Sequence, residues 1–489
     1  MNADTSVIVV LADGARPDVL SAALDAGELP ALARLRAEGG LYSVATVFPS
    51  VTGPAYTPFL MGQHPGSVGL PGLRWYDRAR SACSWPSYAR SYTGPQCRFL
   101  DRDLAADAAT MFELTESSIG ALSVIRRGLP RSKQIGRGAA FVARTAITHF
   151  RGDVAGWLDT DRRIGDTFVQ RVRDERPAYA FAALTGIDKA SHARGHDAPI
   201  VHDAMRIVDD VCRRLRSDAE QAGRWHGVHL WVVSDHGHSP VAAHEDLAGL
   251  VGSLGFRVVA HPWIVRRGAQ VAVAVSGNSM AHIYTGLKQR TRQFWPALSA
   301  EWSDMAATIL ERDSVDIMLL PRSDTSCEVH ARGCGHALVT WDEWEFAYRP
   351  ITGDPLGVGE LASMDAADAF DATIDSGYPD GVVQIARIAA CARSGDIVLS
   401  AAPGWDFRAR YEPIKHVSSH GALHREHMLV PLLTNRPVAH EPRRTVDVMA
   451  SACAVLGLRG VNLEGTPFVD SEPETSNLRE SPRHAIAHI

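Results

Sequence analysis

Along the chain, short continuous apolar runs alternate with longer stretches whose apolar residues recur at helical spacing. Four runs stand out: Ser6–Ala12 (SVIVVLA), Ala178–Leu184 (AYAFAAL), Val228–Val233 (VHLWVV) and Met428–Leu433 (MLVPLL). An apolar run without polar alternation predicts a strand covered on both faces, as in a buried parallel sheet. Pro17–Ala26, Val201–Ala222 and Arg444–Leu458 read as helices, the last with its stop at Gly457. A further strand is expected over Leu41–Phe48. Strand–helix alternation over this span predicts an α/β fold, a doubly wound and mostly parallel sheet.

Two stretches interrupt the pattern. Residues from about 73 to 152 carry a basic run, Ile125–Gly138 (IRRGLPRSKQIGRG), among Ser, Cys and Tyr clusters, and are expected to form a cap-like insertion. Residues 246–400 have strand signals of their own at Gln270–Val275 and Ser279–Tyr284 and a helix over Trp295–Glu311, so an inserted α+β cap domain is expected there. The core is then expected to comprise residues 1–245 and 401–469, followed by a polar tail over 470–489 that is expected to be disordered.

Composition narrows the class. Of 489 residues, 45% are hydrophobic and 22% charged, which is ordinary for a globular protein. A net charge of -6 gives no reason to expect a nucleic-acid polymer as partner. Seven scattered cysteines do not form a disulfide framework. Cys83/Cys97 and Cys327/Cys334 could pair in an oxidising compartment, but free thiols fit the pattern better. The N-terminus has no secretory pattern, and no apolar stretch of about 18 residues predicts a membrane span. A cytoplasmic location is the expectation.

The polar residues just beyond the apolar runs carry the chemistry. The first run ends at Asp13 in LADGARPD. The second leads into TGIDKASH with Asp188 and His192, and the third into SDHGH with Asp235 and His236. Ahead of the fourth lies SSHGALHREH with His420. Taken singly, each has an ordinary explanation as a helix cap, a surface pair or a turn. In an open α/β sheet, however, ligands bind at the carboxyl ends of the strands, so these groups should converge in one crevice. Three Asp and three His make a metal-ligand set that suits two divalent ions, zinc by preference. Tetrahedral zinc takes four donors, so three protein ligands leave each ion an open position. Two ions about 4 Å apart clamp an in-line displacement at phosphorus. Thr52, in FPSVTGPAYT after another strand, would lie at the same edge, where a metal would activate its hydroxyl as a nucleophile.

With these motifs in order, and with MGQHPGSVGL over Met61–Leu70, the chain resembles the alkaline phosphatase superfamily. Its closest branch is the type I phosphodiesterase/nucleotide pyrophosphatase family. The resemblance implies Asp188, His192 and His420 on one zinc and Asp13, Asp235 and His236 on the other. Thr52 would touch the second ion as nucleophile and pass through a phosphothreonine intermediate. The implied activity is hydrolysis of phosphodiester or pyrophosphate bonds in a small phosphorylated substrate.

The chain departs from that family's pattern around the nucleophile. Thr52-Gly53-Pro54-Ala55-Tyr56 stands where nucleotide pyrophosphatases commonly show T-F-P-N-H, and GLPGLRW (Gly69–Trp75) lacks their phosphate-contacting Asn. Arg74 could supply a forked donor to the substrate phosphate, or could be a hinge residue. Lys189 and Arg194 flank the ligand pair. A phosphonoacetate hydrolase or phosphomonoesterase is the alternative reading, and a non-catalytic metal-binding protein a more distant one.

Overall fold

The computed structural model describes residues 5–81, 89–261, 266–407 and 416–470. A seven-stranded sheet runs in the order Gly40–Ala45, Leu429–Thr434, Val228–Val233, Ser6–Ala12, Tyr179–Leu184, Ser118–Ala121, Gln134–Ile135. Ser6–Ala12 pairs in parallel with both of its neighbours. Its alternate residues enter opposite layers. Val7, Val9 and Leu11 pack with Tyr56, Phe59, Phe181 and Met449, while Ile8, Val10 and Ala12 pack with Leu20, Leu24, Phe168 and Val208. Two covered faces explain why this strand reads as an unbroken apolar run. Helices Pro17–Asp25, Pro30–Glu38, Val154–Glu175 and Pro199–Gln221 contribute to one layer, and Val446–Val455 to the other.

Two features differ from the sequence expectation. Leu429–Thr434 is antiparallel to both neighbours rather than parallel. The chain passes from the His420 loop through one helical turn, Arg425–Met428, straight into this strand. It therefore starts at the edge where the parallel strands end and runs back, with no crossover helix to reverse it. The stretch 73–152 also does not stand wholly apart as a cap-like insertion. Ser118–Ala121 and Gln134–Ile135 extend the central sheet in parallel register.

A second, nine-stranded sheet is built from residues 258–401, with Ile397–Ala401 as a central strand. Helix Gly381–Ala390 covers one face, through Val382, Ile385 and Ala386, and Trp295–Leu310 the other. Two buried ion pairs tie this sheet to the rest. Arg444 grips Asp380 through Nε and Nη2 at 2.7 and 2.6 Å, and Arg78 Nη2 lies 2.7 Å from Asp396. Cys327 and Cys334 are free thiols, and Cys83 lies outside the described residues, as does the tail beyond Asp470. Among the described residues, no helix is long and apolar enough to cross a membrane.

His64, from the MGQHPGSVGL segment, is buried against Glu464 near the C-terminus. Glu464 Oε2 accepts from the His64 backbone N–H at 2.6 Å and lies 2.8 Å from Nδ1. Burial pushes the Glu464 carboxyl up, but the adjacent His64, its hydrogen bonds and Arg387 outweigh that and hold it down at about 2. The unfolded chain therefore takes up this proton first as pH falls. The stabilisation is complete above the ordinary value of 4.5 and is lost as pH drops towards about 2. A shift of this size corresponds to roughly 3 kcal/mol. Glu464→Gln should lower the unfolding free energy at neutral pH by an amount of that order and flatten its decline below pH 4.5, as read by urea titrations at several pH values.

Candidate functional site

The site forms where three parallel strands end. Asp13 follows Ser6–Ala12, and its N–H continues the ladder by donating to the Leu184 carbonyl. Asp235 and His236 follow Val228–Val233. Asp188 and His192 lie one turn apart on helix Gly186–Arg194, so both project from one face. Asp161, on Val154–Glu175, anchors the start of that helix by accepting from Gly186 N at 2.6 Å and Thr185 N at 3.1 Å. A Cβ at position 186 would lie 2.7 Å from Asp161 Oδ2, so glycine permits this approach. Burial pushes Asp161 up to about 7 despite these donors.

His420 arrives from the far end of the chain. Its Nδ1 donates to the Ser50 carbonyl at 3.0 Å, and its own carbonyl accepts from Ser279 N. Residues 277 and 278, in the turn between strands Val271–Ser276 and Met280–Tyr284, also reach this point. Asn278 bridges to His420, and Gly277 packs against Val51. The second sheet thus borders the site.

Six of the sequence candidates and Thr52 come together. Asp188 Oδ1 lies 3.1 Å from His192 Nε2 and 3.5 Å from His420 Nε2. His236 Nε2 lies 3.3 Å from Asp13 Oδ1 and 3.5 Å from Asp235 Oδ2. Thr52 Oγ1 is 3.2 Å from His236 Nε2 and 3.5 Å from Asp13 Oδ1. The two groups adjoin, because the rings of His236 and His420 stack with centroids 3.5 Å apart. Asp13, Asp188, Asp235, His236 and His420 are all buried.

The polarity of these contacts suits cations. His192, His236 and His420 each donate Nδ1–H to a backbone carbonyl, of Ser418, Gly237 and Ser50 respectively. In their neutral forms this leaves every Nε2 lone pair aimed at carboxylate oxygens, an arrangement that needs a proton or a cation between the two acceptors. Asp235 Oδ2 is buried without a hydrogen-bond partner. Burial, and then the neighbouring Asp13, push the Asp235 carboxyl well up. Burial pulls His236 down, but Asp235 and Asp13 raise it to about 9. Burial and the adjacent His236 hold His420 well down. Asp188 is pushed up by burial, yet His192 and Lys189 hold it well below the usual carboxylate range. Two buried sets, Asp188 with His236, His238 and His420, and Asp13 with Asp235 and His236, each bring donor atoms close enough together that they could hold a metal ion.

The remaining candidates make local contacts. Arg74 is buried on the short strand Arg74–Tyr76, which packs on the second sheet, with Nη1 3.4 Å from the Val275 carbonyl. Lys189 Nζ bonds Asp188 Oδ2 at 2.7 Å, and Arg194 is exposed. Ser50 Oγ donates to the Ala422 carbonyl and Thr57 Oγ1 to the Gln63 carbonyl, both as loop fasteners.

Three contributors escaped the sequence reading. His238 lies two residues beyond His236, with Nε2 3.0 Å from Asp188 Oδ1. Its signal was the second His of SDHGH. Tyr56 Oη donates to Asp13 Oδ2 at 3.4 Å, and Asp161 supports the Asp188 helix. Neither carries a motif.

No curated protein matches the sequence. Phosphonoacetate hydrolase from Sinorhizobium meliloti 1021, solved with phosphonoformate, shares 18% identity and a TM-score of 0.56, covering 93% of this chain and 96% of that one. Murine ectonucleotide pyrophosphatase/phosphodiesterase 5, solved with AMP, shares 13% identity and a TM-score of 0.54, covering 94% and 97%. At these identities the likeness is one of fold, that of alkaline phosphatase-like enzymes. The family model for type I phosphodiesterase/nucleotide pyrophosphatase matches residues 7–328, which include six of the seven site residues above. The chain belongs to the type I phosphodiesterase/nucleotide pyrophosphatase family of the alkaline phosphatase superfamily.

Proposed function

We propose that the protein is a two-metal hydrolase that cleaves phosphodiester or pyrophosphate bonds in a small phosphorylated substrate, with Thr52 as nucleophile. The observation that carries this reading is the position of Thr52 Oγ1, 3.2 Å from His236 Nε2 and 3.5 Å from Asp13 Oδ1, beside three buried carboxylates. Asp188, His192 and His420 would hold one ion, and Asp13, Asp235, His236 and Thr52 the other. Imidazole and carboxylate donors suit zinc. When bound, the ions lower the pKa of a coordinated hydroxyl and neutralise phosphate charge.

The chain's own residues supply the rest. Backbone carbonyls of Ser418, Gly237 and Ser50 fix the imidazole tautomers. Val51 packed on Gly277 holds the turn that carries Thr52. Thr52 Oγ, its proton released to solvent, attacks phosphorus. The bond to the leaving oxygen breaks, and that oxygen keeps the electron pair. Water then attacks the phosphothreonine, the bond between Thr52 Oγ and phosphorus breaks, and Oγ regains a proton from that water. Residues 246–400 would cap the site and set the leaving group, since their turn at Gly277–Asn278 already borders it.

The likeness to phosphonoacetate hydrolase supports a second reading, in which the same hydroxyl displaces a carbon leaving group. A substrate panel separates the readings: bis(nitrophenyl) phosphate, nitrophenyl phosphate and phosphonoacetate, each with chelator-treated protein and with zinc restored. The proposal predicts turnover of the diester that chelation abolishes and zinc restores. Preference for phosphonoacetate would favour the second reading. Protein that binds zinc but turns over none of the three would contradict both.

A further inference from the structure

We propose that helix Ala139–Phe150 and the arginine-lined cavity at its start form a docking face for an anionic phospholipid bilayer. A helix on a protein surface ordinarily turns its apolar side inward. This one does the reverse. Ala139, Ala143, Ala146, Ile147 and Phe150 recur at helical spacing on one face, with Val142 beside them, and all six are exposed. The opposite side meets the protein through Phe141, packed on the layer of Phe168 and Val208, and through the buried Thr148. Phe150 is 71% exposed, Val142 55% and Ile147 53%. Three of the seven exposed large apolar side chains among the described residues thus lie on this one helix. Such clustering marks an interaction surface, where single exposed side chains would not.

Charge decides what covers the face. The basic run Ile125–Gly138 leads directly into the helix. Arg131 and Arg137 of that run, with Arg163 and Arg171, line an open cavity of about 580 Å³, and Phe141 forms part of its wall. Arg171 pairs with Glu175, but Arg131, Arg137 and Arg163 reach no carboxylate among the described residues. Arg144 on the helix and Arg151 just past it are exposed as well. Neither the helix nor the cavity wall contains an acidic residue. A second copy of this face would set arginines against arginines, whereas lipid phosphates neutralise them. Apolar side chains at the acyl boundary and arginines among the headgroups are the two halves of an interfacial helix. Its 12 residues extend about 18 Å, too short to cross a bilayer, so the helix lies along the surface.

The helix also lies at the edge of the sheet that carries the Asp and His cluster. It follows the carboxyl end of Gln134–Ile135, which is parallel to its neighbour in the central sheet. The next helix places the Trp157 ring 5.8 Å from Lys189 Nζ, and Lys189 bonds Asp188. Docking therefore holds that edge close to the bilayer.

Docking requires neither metal nor turnover, so vesicle binding tests it separately from the activity. The full chain is cosedimented with phosphatidylcholine vesicles, with and without phosphatidylserine. Binding is expected to the anionic vesicles, to weaken as salt rises and to be slight on phosphatidylcholine alone. Phe150→Ser should lower partitioning about tenfold or more. Arg137→Gln and Arg144→Gln should each lower it about fivefold. All three side chains are exposed, so circular dichroism and Tm should stay unchanged, and Ile147→Ser is the second apolar variant should Phe150→Ser fail to fold. Absence of binding to anionic vesicles would overturn the proposal, as would equal binding to both kinds. Binding that Phe150→Ser and Ile147→Ser leave intact would mean adsorption by charge alone and would overturn it too. A dimer that Phe150→Ser dissociates in sedimentation velocity, without vesicle binding, would assign the face to a second copy instead.

Discussion

Thr52→Ala is expected to lower kcat on a phosphate diester by at least about three orders of magnitude while leaving zinc content nearly unchanged. The side chain lost carries the hydroxyl that stands against His236 Nε2 and Asp13 Oδ1. The six Asp and His side chains that converge beside it remain, so metal analysis should still find the ions. Thr52→Ser should retain partial activity, because the oxygen stays while the β-branch that restricts its rotamer goes. Ser50→Ala is the internal control. Its hydroxyl faces the Ala422 carbonyl, and its own carbonyl still receives the His420 Nδ1–H. That substitution should cost about 1 kcal/mol of stability and little activity. Activity in Thr52→Ala together with a dead Ser50→Ala would mean that the nucleophile had been misassigned.

The second large effect is expected on stability. Arg444→Met removes the bidentate partner of Asp380, a fully buried carboxylate whose other side-chain partner among the described residues is Gln384 Nε2, at 2.7 Å. Breaking a buried pair by removing one partner commonly costs about 3–5 kcal/mol, because the remaining charge is stranded. The loss should reach the site as well, since Gln384 Oε1 accepts from Phe48 N, four residues before Thr52. Adding Asp380→Asn removes the stranded charge and suits the left-handed backbone, φ 60°, at that position. Denaturant unfolding should show the double variant recovering much of what Arg444→Met loses. Equal instability in the two would argue against a stranded charge.

Much of the core was legible because burial on both faces leaves an unbroken apolar run. Ser6–Ala12 and Val228–Val233 have the bounds that their sequences predict, and Pro199–Gln221 lies within two residues of its predicted ends. Strand direction was not legible at Leu429–Thr434, because apolar content says nothing about which end the chain enters. Ser118–Ala121 was missed since four residues, SIGA, make too short a run. In the second sheet, Glu345–Gly353 is largely exposed at one end, so it offers neither a continuous run nor clean alternation. The site residues were legible where each directly follows a strand. His238 was not, because its meaning depends on Ser418, 180 positions away, and on Asp188. Arg74 was open between a phosphate donor and a hinge residue, and it lies on a local hairpin against the second sheet.

The central claim is that Thr52 takes the phosphoryl group. Its most direct test is rapid acid quench of the zinc-loaded protein during turnover of bis(nitrophenyl) phosphate, followed by peptide mass spectrometry. The account predicts a nitrophenyl phosphoryl adduct on the peptide containing Thr52, localised to that residue and absent from Thr52→Ala. Steady turnover with no adduct at any quench time, or with the adduct on another residue, would contradict it.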